Sequence, residues 1–94
     1  MDQMTRARIW LRDAGRCQMC GHDGTDVHHR VRRRDGGDED WNLILLCREH
    51  HSWAHGHPEQ ARERGYIISP FIPHDEAMVV RYTDWRGRSK SLAT

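Results

Sequence analysis

Four residues constrain this chain more than any others: the pair Cys17-x-x-Cys20 and the later pair Cys47-x-x-His50. Three thiolates and one imidazole make a closed tetrahedral donor set of the kind zinc accepts. One ion held by both pairs ties an early turn to a distant segment. Its binding free energy, on the order of 10 kcal/mol, then becomes folding free energy. The chain needs such a staple, because 94 residues that are 36% hydrophobic and 31% charged, with a single Phe, support only a thin apolar core. An odd count of three cysteines, with no signal-peptide layout over residues 1–11, argues against a disulfide framework. His51 or His22 could replace His50 as the fourth ligand.

Around these ligands the pattern predicts an α+β domain. Residues 5–14 read as a helix, with Ala7, Trp10, Leu11 and Ala14 on one buried face, Thr5 as its cap and Gly15 as its stop. Cys17 to Gly21 then forms a knuckle. Residues 26–32, with Val27 and Val31, read as a strand, and residues 33–40, with Gly36, Gly37 and dense charge, as a loop. Leu43 to Leu46 is a short buried strand. A helix is expected from Arg48 to His55, closed by Gly56, and another from Pro58 to Arg64, stopped by Gly65. Residues 69–74 read as a Pro-bounded loop and residues 77–92 as a hairpin turning near 84–87. No repeat or second domain is evident, so residues 1–94 form one unit, with a motif core at 16–57 and a C-terminal extension at 66–94.

The net charge is only +1, but its distribution is uneven. Eight arginines (Arg6, Arg8, Arg12, Arg16, Arg30, Arg32, Arg33, Arg34) stand against four acids before residue 35, while Asp35, Asp38, Glu39 and Asp40 form an acidic run. Fourteen of the fifteen basic residues are Arg, the side chain suited to bidentate phosphate contacts. No apolar run approaches the roughly 18 residues of a membrane span. The expectation is a soluble, cytoplasmic protein without a membrane partner.

The remaining histidines carry the chemistry. With His50 assigned to zinc, His51 and His55 stand at i and i+4 on one helix face, a spacing that lets two imidazoles grip one ion. His28 and His29 lie side by side on the preceding strand. An open metal site needs a third protein ligand and a hydrolytic site needs a general base, and this pair can supply both. Strand neighbours point to opposite faces, so the strand must twist, bulge or end at His29 for both to serve one site. His22, His57 and His74 read as surface residues.

Taken together, Cys17-x-x-Cys20, Val27-His28-His29-Arg30, Gly36-Gly37, Trp41-Asn42-Leu43-Ile44-Leu45-Leu46-Cys47 and His50-His51-Ser52-Trp53-Ala54-His55 resemble the HNH endonucleases, the ββα-metal or His-Me finger nucleases. The continuation from His50 to Gly65 is similar to small HNH proteins of phages and actinobacteria. The resemblance implies a zinc-stapled ββα-metal fold with an N-terminal helix, and a C-terminal helix plus hairpin. It also implies a metal-dependent DNA endonuclease, a phosphodiester hydrolase leaving a 5′ phosphate and a 3′ hydroxyl, in a prokaryotic or phage-infected cytoplasm.

By that resemblance His29 is the general base, and His28, His51 and His55 hold the catalytic divalent ion. Asn42 pins the loop that orients the base. A backbone carbonyl on the other nitrogen of the base would fix its tautomer. Many HNH proteins carry Asp where this chain has His28. A three-imidazole site shifts the preference among Mg, Mn, Ni, Co and Zn away from Mg. Where the family often has a fourth cysteine, this chain has His50. Arg30, Arg32, Arg33 and Arg34 flank the base and are expected to contact DNA phosphates without reading sequence.

Two other classes compete with the nuclease. One is a non-catalytic zinc-stapled nucleic-acid-binding module; the other is an interaction domain in a phage packaging or restriction assembly. A homodimer would account for double-strand cutting.

Overall fold

The computed structural model describes residues 1–93. Its first element is helix α1 (Gln3–Arg12), capped by Asp2, whose Oδ1 accepts the Thr5 amide at 2.8 Å. The cap is therefore Asp2 and not Thr5. The face expected to be buried is also turned outward: Trp10 is 51% and Leu11 70% exposed, and Ala7 and Ala14 are exposed too. Ile9 and, just past the helix, Asp13 point inward instead. The cause is polar. Asp13 Oδ2 accepts the Leu45 amide at 2.9 Å, and Arg12 donates to the Leu43 carbonyl at 2.6 Å and the Asp40 carbonyl at 2.8 Å. Those bonds set the rotation of α1, while Trp10 folds back over Gly15.

Strands β1 (Asp26–His29) and β2 (Leu43–Leu46) form an antiparallel pair, with Asp26 opposite Leu46 and His29 opposite Leu43. All four β2 side chains are buried. Alternation gives them two jobs. Leu43 and Leu45 pack with Ile9 under α1, whereas Ile44 and Leu46 join Val31, Trp41, Ala54, Tyr66 and Tyr82 in the larger core.

The expected strand 26–32 stops at His29. Beyond it, where a plain loop was expected, come a short helix α2 (Arg33–Gly36) and a 3-10 turn (Asp40–Asn42). The Asn42 side chain explains the break. Its Oδ1 accepts the Val31 amide at 2.7 Å, and its Nδ2 donates to the carbonyls of Val31 at 3.0 Å and Gly37 at 2.9 Å. It thereby takes the main-chain groups that a continuing strand would have paired.

Helix α3 (Arg48–Gly56) follows β2 directly, and α4 (Pro58–Glu63) opens with Pro in its first turn, both close to expectation. The segment 66–68 is laid against the end of β1, the Ile68 amide donating to the Arg30 carbonyl at 2.9 Å. The expected hairpin over 77–92 is shorter than its pattern. Residue Ala77 belongs to helix α5 (His74–Met78), whose first turn carries Asp75 and Glu76. The hairpin itself pairs β3 (Tyr82–Thr83) with β4 (Ser89–Lys90), and Asp84 Oδ1 accepts the Arg86 and Arg88 amides across the turn, each at 2.9 Å. The architecture is thus a small α+β arrangement of helices and two antiparallel sheets. Among the described residues, no helix is long and apolar enough to cross a membrane.

Candidate metal centre

The knuckle folds tightly: the Cys17 amide donates to the His22 carbonyl at 2.7 Å and the Gly21 amide to the Cys17 carbonyl at 2.8 Å, with Gly21 at φ 77°. This turn aims Cys17 and Cys20 toward the β2–α3 junction. There Cys47 caps α3, its Sγ accepting the His50 amide at 3.4 Å. The ligand atoms of Cys17, Cys20, Cys47 and His50 all lie within 4.8 Å of one another. His50 Nδ1 is 3.1 Å from Cys47 Sγ and 3.8 Å from Cys17 Sγ. All three thiols are free of disulfides. The donor set fits a structural zinc, and His50, rather than His51 or exposed His22, completes it.

A second group forms on the other side of α3. His28, His51 and His55 bring their ring nitrogens within 4.8 Å of one another, with ring centroids 5.0–5.6 Å apart. His28 is fully buried. Its Nε2–H donates to the Tyr66 carbonyl at 2.6 Å, which leaves Nδ1 buried without a hydrogen-bond partner. Burial pushes this imidazole down to about 4, so the ring is neutral. An orphaned lone pair beside two further imidazoles is a donor set that fits a divalent ion. His51 is oriented from behind: its Nδ1–H donates to Asp26 Oδ2 at 2.8 Å. Arg48 and Thr25 also donate to Asp26. Burial raises the Asp26 carboxyl, but the bonds from His51, Arg48 and Thr25 outweigh it and hold the group below its ordinary range. A carboxylate behind a ligating imidazole fixes its tautomer and raises its basicity.

His29 ends β1, so the geometric condition on the histidine pair is met by the strand's termination. It lines the same cavity, of about 570 Å³, as His28, His51 and His55. The group on its other nitrogen is not a backbone carbonyl. Asp38 Oδ1 takes the Nε2–H at 2.7 Å, and this bond draws the Asp38 carboxyl below its usual range. Asn42 stands behind the site, completely buried, holding Val31 and Gly37 and hence the loop that presents Asp38.

No protein-family model, curated protein or solved structure matches the chain.

The four arginines separate. Arg32 and Arg33 line the cavity, although Arg32 also pairs with Asp35 at 3.0 Å. The Arg34 side chain is 75% exposed. Arg30 is a correction to the phosphate set: it is 1% exposed, and its guanidinium is spent on the carbonyls of Gly65, Trp41 and Val80. Although Arg30 also borders the cavity, each of its guanidinium nitrogens is already bonded to a main-chain carbonyl. Sequence reasoning missed Asp26, Asp38, Arg62 and Phe71, the last two of which line the cavity. Asp26 had a signal, since it lies two residues before His28 on the same strand face. His22, His57 and His74 are exposed, as expected.

Proposed function

We propose that the chain is a metal-dependent DNA endonuclease of the HNH, ββα-metal kind, stapled by zinc at Cys17, Cys20, Cys47 and His50. The observation that carries this reading is the buried, unpartnered Nδ1 of His28 facing His51 and His55, with His29 on the same cavity. In this reading His28, His51 and His55 hold the catalytic ion. A divalent ion held there would supply Lewis-acid stabilisation of the charge that develops on the phosphate and on the departing 3′ oxygen.

The chain's own groups do the rest. Asp38 accepts the Nε2–H of His29, so Nδ1 carries the lone pair. That nitrogen takes a proton from the water whose oxygen bonds to phosphorus as the P–O3′ bond breaks; the departing 3′ oxygen takes a proton from solvent water, giving a 5′ phosphate and a 3′ hydroxyl. Asn42 fixes the loop through Gly37 and keeps Asp38, and through it the imidazole, in place. Arg32 and Arg33 hold flanking phosphates by charge, positioning the backbone without reading bases.

The test is nicking of supercoiled plasmid after mild chelation, with Mg²⁺, Mn²⁺, Ni²⁺, Co²⁺ or Zn²⁺ added back separately. Cleavage is expected to need added metal. In a folded, zinc-retaining His29→Ala protein it should fall about 100-fold or more, the contribution of a positioned general base. Absence of cleavage with every metal, or equal cleavage by the variant, would overturn the mechanism and leave a zinc-stapled binding module.

A further inference from the structure

The cavity that holds the histidines is lined by two kinds of side chain that the proposed hydrolysis does not both require. Arg32 and Arg33 after β1, and Arg62 from α4, bring positive charge. The segment after α4 brings apolar surface, from Ile67, Pro70 and Phe71. Phe71 is 91% exposed although it is the only Phe in the chain. It is presented rather than loosely hung. The Phe71 amide donates to Ser69 Oγ at 3.2 Å, and the Ile72 amide to the Ser69 carbonyl at 3.3 Å. Pro70 and Pro73 restrict the loop on either side, and buried Ile68 anchors its base to Arg30.

Phosphate-binding charge next to an exposed aromatic is the pairing used for single strands: a cationic groove tracks the backbone and the ring stacks on a base. In a regular duplex the faces of the bases are covered by their neighbours, and a ring at the rim has nothing to stack on. The cavity volume, about 570 Å³, lies within the range of small-ligand pockets, roughly 300–1,000 Å³. We propose that this cavity takes one unstacked nucleobase beside the phosphate being cut, with Phe71 as its stacking platform, so that the substrate is single-stranded or locally unpaired DNA. The proposal rests on the nuclease reading of the histidine site.

The experiment compares one labelled strand alone, in a duplex with a bulge, and fully paired, with 2-aminopurine placed at the bulge. Wild-type protein is expected to cut the unpaired forms at least tenfold faster than the paired form. Phe71→Ala should lose about tenfold on the unpaired forms, within the range for removing one stacking contact, and Phe71→Trp should retain the rate. The exposure of Phe71 keeps both variants foldable, which circular dichroism verifies. Binding without added metal should quench 2-aminopurine fluorescence through Phe71, a readout that needs no cleavage. Equal rates on paired and unpaired DNA, unchanged in Phe71→Ala, would overturn the base site while the nuclease reading stands. Should no substrate be cut, the nuclease reading falls and the quenching decides: loss in Phe71→Ala supports the base site, and equal or absent quenching overturns it.

Discussion

The guanidinium of Arg30 donates to carbonyls from separate parts of the chain: Gly65 at 2.8 Å, Trp41 at 2.9 Å and Val80 at 2.6 Å. Burial pushes it down to about 10, which still leaves it charged at neutral pH. Removing it orphans the buried carbonyls of Gly65 and Trp41, each costing about 1–3 kcal/mol, and the part-buried carbonyl of Val80. Arg30→Ala is therefore expected to lose at least about 2 kcal/mol of stability. Arg30→Lys cannot reproduce the planar fork and should recover only part of the loss. Arg33→Ala, at an exposed position, should stay within about 0.5 kcal/mol of wild type. Urea denaturation midpoints check all three. An Arg30→Ala protein as stable as wild type but weaker on DNA would restore Arg30 to the phosphate contacts. Nothing in the run Arg30, Arg32, Arg33, Arg34 distinguishes its first member by type; only tertiary placement does.

At the scale of elements, the segment 66–68 does for the site what a third strand would do. Its Tyr66 carbonyl accepts a hydrogen bond from His28 and its Ile68 amide donates to the Arg30 carbonyl. Gly65 lets it enter: at φ 83°, a Cβ added there would lie 2.1 Å from the Arg81 carbonyl oxygen. Gly65→Ala combines left-handed strain with a backbone clash and is expected to cost about 2–4 kcal/mol. Gly56→Ala, where an added Cβ meets open space, should change stability by no more than about 0.5 kcal/mol. Thermal or urea midpoints compare the two, and equal midpoints would show that the close approach is not needed. What was legible at this scale had a short-range signature. The buried run of β2, the i, i+4 histidines of α3 and the proline start of α4 all write their spacing into the chain. The rotation of α1 did not, because Arg12 and Asp13 bind main-chain groups of β2 and its approach, and such bonds leave no apolar period. Helix α5 has five residues, too few for periodicity to show. Asp38, Arg62 and Phe71 reach the cavity only through the folded path of loops.

Across the whole molecule, the knuckle is held from two directions. The cluster of Cys17, Cys20, Cys47 and His50 brings it against the β2–α3 junction, and buried Gln18, lying between its cysteines, joins it to the C-terminal segment. Tyr82 donates to Gln18 Oε1 at 2.8 Å, the Tyr66 hydroxyl lies 3.0 Å from the Gln18 carbonyl, and Trp85 covers Gly21. Burial pushes both tyrosine hydroxyls well above their ordinary range, so they remain donors at any working pH. With zinc bound as proposed, the knuckle, the hairpin β1–β2 and the C-terminal segment form one cooperative unit. The imidazole group is built on β1 and α3 of that unit but opens onto the cavity, with His55 exposed. The two metals should therefore come away differently. A mild chelator is expected to strip the proposed ion from His28, His51 and His55, abolishing the proposed cleavage while the circular dichroism and the Trp fluorescence stay native. A stronger chelator should then release one zinc per chain, and the loss should coincide with cooperative unfolding, because about 10 kcal/mol of binding exceeds what a thin core supplies. Metal content and melting curves followed in the same samples separate the two steps. Complete removal of zinc with an unchanged melting transition would show that packing alone holds the fold, and the cysteines would then need another explanation.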